Sequence, residues 1–262
     1  MRLTACVAVA LLWPGAALAE SASPAPKSAD ELLACMRANI PPTVRIQEVE
    51  LVTVDRGGGE RTMRGRLYGA REDGLVRVML RIDAPADLAG AAYLIREEAK
   101  SDQMYLYLPA INRVRRITGG SGDNQLFGTD LSYNDIKQVQ NAFSAVQVKD
   151  EGNEQLAGAT VRVISFAPAP ESESRYDRIV ASVDPQRCMA LRVAFYEGGK
   201  LRKQLDVESK DLKQSGSYWY AERSVMRDLV DQTQTRLRVD GVRSGDDVSG
   251  RYFNPRSFYL GG

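Results

Sequence analysis

Few side chains in this sequence are equipped for chemistry, and one type is missing altogether: among 262 residues there is no histidine. That excludes Ser-His and Cys-His nucleophile pairs, HExxH zinc sites and the other mechanisms that need imidazole near neutral pH. The closest carboxylate pairs are Glu97-Glu98 and Asp246-Asp247. Adjacent residues on a strand point to opposite faces, so neither doublet offers two carboxylates to one substrate, and both read as solvated surface charge. Gly119-Gly120-Ser121-Gly122 lacks the Lys-Ser/Thr that completes a phosphate loop and does not match GxSxG, so it reads as a mobile loop. A basic cluster remains, Arg113, Arg115 and Arg116, beside Tyr105 and Tyr107. It suits clamping an acidic headgroup or stacking on rings, and equally well a hairpin edge protected by charge. No cofactor or metal is implied by any of these residues.

The balance of 35 Lys+Arg against 34 Asp+Glu gives a net charge of +1 and no electrostatic case for nucleic acid. Residues 1–19 carry one charge, Arg2, then an apolar run from Leu3 to Trp13, a Pro14-Gly15 break and Ala17-Leu18-Ala19. This is the form of a signal peptide cleaved after Ala19, and the run is shorter than the ~20 residues that span a bilayer. Export to the periplasm is expected, with residues 20–27 a flexible leader, residues 28–262 one domain, and the mature chain soluble. Cleavage leaves two cysteines, Cys35 and Cys188, an even number in an oxidising compartment, which favours a disulfide over two small buried thiols. Such a bridge fastens the first helix to the strand beginning near Leu191.

These side chains need a frame. Ser28-Ala29-Asp30-Glu31 has the form of a capping box, followed by Leu32, Leu33, Met36 and Ile40 on one helical face and a stop at Pro41-Pro42. From Val44 the period becomes alternating. Strands are predicted over 44–54, 62–70, 75–82, 104–108, 113–117, 159–166, 178–183, 191–196, 201–207, 218–226 and 232–242, with a helix-like interval near 133–143. About ten or eleven short strands joined by tight turns describe one curved antiparallel sheet, and the lack of a βαβ rhythm argues against a nucleotide-binding fold.

The stretch from Met104 to Asp135 is more specific. Tyr107-Leu108-Pro109, Arg113-Val114-Arg115-Arg116 and the spaced set Phe127, Gly128, Asp130, Tyr133 and Asp135 resemble the signature of the outer-membrane lipoprotein-sorting family. These are LolA-like periplasmic carriers that often accompany transporters of the resistance-nodulation-division class. The resemblance implies a mainly β fold, a half-open curved antiparallel barrel with an N-terminal helix and a helical or loop lid. It also implies an apolar cavity for lipid or lipoprotein acyl chains, a monomeric non-enzymatic carrier, and an inner-membrane transporter as partner.

On that reading Met104, Tyr105, Leu106, Tyr107, Leu108, Phe127, Leu131 and Tyr133 are lipid-binding or lid residues, and Arg113, Arg115 and Arg116 contact a headgroup or partner. Met104, Leu106 and Leu108 share one strand face and Tyr105 and Tyr107 the other, so one set lines the cavity. Phe127 and Tyr133 are expected at its rim, gating access. Two other readings stand beside it: an adaptor subunit of such a transporter that carries no lipid, and a hydrolase with a Ser or Tyr nucleophile.

Overall fold

The computed structural model describes residues 28–98, 102–139, 147–168, 173–244 and 249–260. The expected signal peptide and leader, the Asp246-Asp247 pair and the end of the helix-like interval lie outside the described residues.

The chain opens with helix α1 (Ala29–Ala38), capped where Ser28 Oγ accepts the amide of Glu31 at 3.1 Å. Six strands follow: β1 (Arg45–Val54), β2 (Glu60–Glu72), β3 (Leu75–Ala84), β4 (Ala92–Arg96), β5 (Gln103–Leu108) and β6 (Arg113–Ile117). A 3-10 turn at Gly119–Asp123 and helix α2 (Asp135–Val139) precede β7 (Lys149–Leu156), β8 (Ala159–Phe166), β9 (Arg178–Asp184), β10 (Met189–Glu197) and β11 (Lys200–Asp206). Then come β12 (Leu212–Ser215), β13 (Tyr218–Ala221), β14 (Arg223–Asp228), β15 (Thr233–Ser244) and a last turn of helix, α3 (Ser249–Tyr252).

Thirteen strands form one antiparallel sheet in the order β6-β5-β4-β3-β2-β1-β15-β14-β11-β10-β9-β8-β7, and β12 pairs with β13 apart from it. Most neighbours are hairpin partners. There are two exceptions: β11 pairs with β14 across the β12–β13 hairpin, and in the middle β1 pairs with β15 over ten positions with one bulge and joins the two ends of the chain. The sheet is open, with β6 and β7 as its free edges. Its curvature draws on bulges, among them one between Arg64 and Gly65, where a Cβ on Gly65 would lie 2.1 Å from the carbonyl oxygen of Arg81. This is the half-open barrel expected from the sequence.

Alternation sorts the sheet into two faces. The inner face carries Leu51, Leu67, Val78, Leu80, Tyr93, Ile95, Val193, Phe195 and Leu237, which pack with the apolar side of α1 into the main core. On the outer face, Ile46, Tyr68, Met79 and Leu94 pack under the C-terminal segment through Phe253 and Phe258. Leu212 of β12 meets Val161, Val163, Met189 and Leu191 in a third cluster.

Three expectations change. The predicted strand over 218–226 is two strands in different sheets: at Glu222 the chain leaves the β12–β13 hairpin, its amide bonding Asp211 O at 2.8 Å, and enters the main sheet. The stretch Gly119–Gly122 is a formed 3-10 turn rather than a mobile loop, with Gly122 buried and the Gly120 amide donating to Glu173 at 3.1 Å. Glu97 is buried rather than solvated, because it accepts bonds from two of the elements that cover the sheet.

Candidate functional site

The inner face has two covers. The first is α1, whose Leu32 and Met36 are fully buried, as is Ile40 just beyond its end. Cys35 is bridged to Cys188, their Cα atoms 5.7 Å apart across 153 positions of sequence. Just beyond α1, Asn39 donates to Arg187 O and Cys188 O at 2.8 and 3.1 Å, and accepts from the amide of Trp219 at 3.1 Å. The helix is thus pinned to the start of β10 and to the β12–β13 hairpin. The predicted disulfide forms where the sequence placed it.

The second cover, residues 122–139, contains the last part of the signature, Phe127 to Asp135. It folds back on itself, Leu126 N donating to Leu131 O at 2.8 Å, and Leu126, Leu131, Tyr133 and Ile136 join the main core. Its polar residues face the sheet too. Asp130 accepts the hydroxyl of Thr235 at 2.7 Å and that of Thr233, while its carbonyl accepts Lys203 Nζ at 2.8 Å. Asp135 accepts the amide of Ser132 at 2.8 Å and pairs with Lys203 at 3.5 Å. At the other end, Asp123 accepts the side-chain amide of Asn134 at 2.9 Å and the backbone amide of Arg175. Buried polar groups of this kind are stable only when they are paired, so the pattern fixes the segment in one place.

A second network joins both covers. Glu97, just past β4, accepts Arg37 of α1 at 2.5 and 3.1 Å, the amide of Val76 at 2.9 Å and Lys137 of α2 at 3.4 Å, and Lys137 also pairs with Asp102 at 2.9 Å. Burial pushes the Glu97 carboxyl up, but the Arg37 bond, Lys137 and the Val76 amide outweigh it and hold it down at about 2. Beside this network Tyr93 donates to Tyr133 O at 2.8 Å, and burial raises its phenol well above the usual range.

The structure divides the residues singled out from the sequence. Met104 and Leu106 face inward with Leu131 and Tyr133, and Leu108 and Phe127 pack at the margin of that cluster. The rings of Tyr133 and Tyr93 lie 5.2 Å apart. Tyr105 and Tyr107 face outward against the C-terminal segment, Tyr107 stacking on Tyr259 at 4.1 Å. Arg113, Arg115 and Arg116 are exposed on the edge strand β6. By register Arg113 and Arg115 stand beside Leu108 and Leu106, on the inner side, and Arg116 beside Tyr105, on the outer.

Sequence reasoning missed Glu97, Lys137, Lys203, Thr233 and Thr235. The available signal was the pair of aspartates inside an otherwise apolar signature, which needs buried partners from elsewhere in the chain.

A cleft with about 10 Å³ of free space, room for about one water, lies between Arg45, Gln47, Trp219, Tyr220 and Leu237. Arg45 is buried there and donates to Asn39 O and Trp219 O; burial lowers its guanidinium to about 10, so it stays charged at neutral pH. Among the described residues no cluster of side chains suits a metal ion, and no helix is long and apolar enough to cross a membrane.

A family model described as an uncharacterized protein matches residues 74–259. No curated protein matches the chain. Among solved structures it is similar to an outer membrane lipoprotein-sorting protein domain from Vibrio parahaemolyticus, at 23% identity and a TM-score of 0.76, covering 86% of this chain and 96% of that one. A DUF1329 family protein from Desulfovibrio piger gives 24% and 0.77, covering 86% and 95%. A LolA superfamily protein from Nitrosomonas europaea gives 16% and 0.66, covering 86% and 97%. At these identities the likeness establishes the fold.

Proposed function

The chain belongs to the uncharacterized-protein family whose model spans residues 74–259 and has the fold of the outer-membrane lipoprotein-sorting and LolA-superfamily proteins, and from that premise we propose that it is a periplasmic carrier of lipid or lipoprotein acyl chains. The observation that carries the reading is the inner face itself. A wide apolar surface, including Met104 and Leu106, is covered by a segment held through polar side chains to the strands beneath it. Displacing residues 122–139 exposes that surface; releasing them covers it again.

The energetics favour such a lid. At ~0.8 kcal/mol per buried methylene, two ordinary acyl chains represent roughly 20 kcal/mol of gross burial, near the practical ceiling of affinity. A carrier with a permanently open cavity would not release its load. A lid that competes for the same surface lowers the net affinity and makes transfer to an acceptor feasible. Phe127 acts in this reading as the aromatic margin of the lid and Tyr133 as part of its buried face, with Arg113 and Arg115 taking the headgroup at the inner edge. The work is binding and transfer rather than catalysis, the carrier is a monomer, and the partner is an inner-membrane transporter of the resistance-nodulation-division class.

An environment-sensitive fatty-acid probe tests it. Saturable binding, competed by lipid extract and lost in Leu106→Glu, is the expected result. Absence of saturable binding overturns the carrier. The adaptor reading, which draws on an inner face filled by the protein's own side chains, then takes its place.

A further inference from the structure

The free corner of the sheet at β5 and β6 carries exposed apolar side chains that the carrier reading leaves unused. Among the described residues five large apolar side chains are exposed, and three of them, Ile111 (43%), Val114 (37%) and Leu260 (68%), belong to this corner. Tyr107 links them. It is the cross-strand partner of Val114, its hydroxyl donates to Asn112 Oδ1 at 3.0 Å beside Ile111, and its ring stacks on Tyr259 beside Leu260.

The charge here is equally distinctive. Several strand arginines elsewhere are paired, Arg64 with Glu50 at 2.9 Å, Arg66 with Asp83 at 3.0 Å and Arg236 with Glu60 at 2.6 Å, and the exposed Arg178 lies over the ring of Tyr196 at 4.5 Å. Arg113, Arg115 and Arg116 form no ion pair or side-chain hydrogen bond among the described residues. Three neighbouring guanidiniums without counter-charge repel one another, and that repulsion is relieved by an external anion.

We propose that this corner docks on the surface of an anionic phospholipid bilayer. Guanidiniums meet lipid phosphates, Tyr107 and Tyr259 sit at headgroup depth, and Ile111, Val114 and Leu260 reach the acyl boundary. A protein strand adding to β6 is the less favoured occupant, because an arginine at three of five edge positions is a device against such pairing. The inference does not rest on the carrier reading, since it needs no cargo: Arg116 and Val114 lie on the outer side with Tyr105 and Tyr107, and Arg113 and Arg115, which the carrier reading gives to a headgroup, reach the same edge from the inner side.

Sedimentation of the mature protein with vesicles decides it, comparing phosphatidylcholine alone with phosphatidylcholine plus phosphatidylglycerol. Binding to the anionic vesicles only, weakened by salt, is the expected result. The triple variant R113Q/R115Q/R116Q should bind about a hundredfold more weakly, and I111S/L260S about tenfold more weakly, both with unchanged melting because every altered side chain is exposed. The I111S/L260S variant should still bind the fatty-acid probe, so failure of the cargo reading and failure of the docking surface are told apart. No sedimentation with anionic vesicles, equal sedimentation with both kinds, or undiminished binding in both variants overturns the proposal.

Discussion

The two covers of the inner face are fastened in opposite ways. Helix α1 is held by apolar contacts, by Asn39 and by a covalent bridge to Cys188. Residues 122–139 are held in large part by buried polar groups: Asp130 on Thr233, Thr235 and Lys203, Asp135 on Lys203, and Lys137 on Glu97 and Asp102. A covalent bridge cannot be traded for anything while the protein stays folded, whereas each polar contact can be exchanged for water as a segment lifts. On the proposed carrier reading the difference assigns the parts: helix α1 belongs to the frame, and residues 122–139 are the cover expected to open at the lower cost.

The comparison breaks most visibly at the covalent side. Replacing both Cys35 and Cys188 by Ser releases a loop of 153 positions, worth roughly 4 to 5 kcal/mol in the chain-entropy account. Calorimetry should show melting lowered by roughly 10 °C or more, and hydrogen exchange should show α1 losing protection. A loss below about 1 kcal/mol would make α1 no better fastened than the lid.

Glu97→Ala attacks both covers together. It takes from Arg37 its carboxylate and leaves Lys137 with Asp102 alone, a change that costs about 3 kcal/mol. Urea unfolding measures it, and exchange should rise in α1 and in α2 alike. Loosening of one cover only would mean that this network does not couple them.

Acid titration sharpens the same point. The folded chain holds the Glu97 carboxyl at about 2, below its ordinary 4.5, so the unfolded chain takes up the proton first as the pH falls. The stability contributed by this group is complete above pH 4.5 and drains away toward pH 2, by up to roughly 3 kcal/mol. Glu97→Gln should flatten the stability curve inside that window, and an unchanged slope would contradict the network.

The smallest effect is the most selective. Thr235→Val removes one hydroxyl from Asp130 and should cost about 1 to 2 kcal/mol. Protection should fall over 122–139 and stay as it was in α1. Equal loss in both would show that the two covers move as one body.

The sequence made the frame legible wherever one face of an element is buried and the other wet. Leu32, Leu33, Met36 and Ile40 mark α1 for that reason, and 104–108 alternates visibly because Met104 and Leu106 are buried while Tyr105 and Tyr107 are partly exposed. β4 escaped because Ala92, Tyr93, Leu94 and Ile95 are buried on both faces and show no period. β7 escaped for the opposite reason: its Lys, Asp, Glu, Asn and Gln side chains are exposed and read as loop.

The disulfide was within reach of counting cysteines and knowing the compartment. The lid's attachments were not, since Asp130 meets Thr233 and Thr235 across more than a hundred positions. Alternation says which face a residue takes, but nothing about what will lie over it.

The pairing of β1 with β15 also sets a timetable. A chain made from its N-terminus finishes β1 long before β15 exists, for about 180 residues separate Val54 from Thr233. At ordinary synthesis rates that is roughly ten to forty seconds. The β1-to-β6 meander and the β7-to-β11 hairpins can form as they emerge, since their partners are local. The seam between them closes last, so throughout that interval the edge of β1 that awaits β15 is unpaired and the nascent protein is most open to mispairing at what becomes its centre.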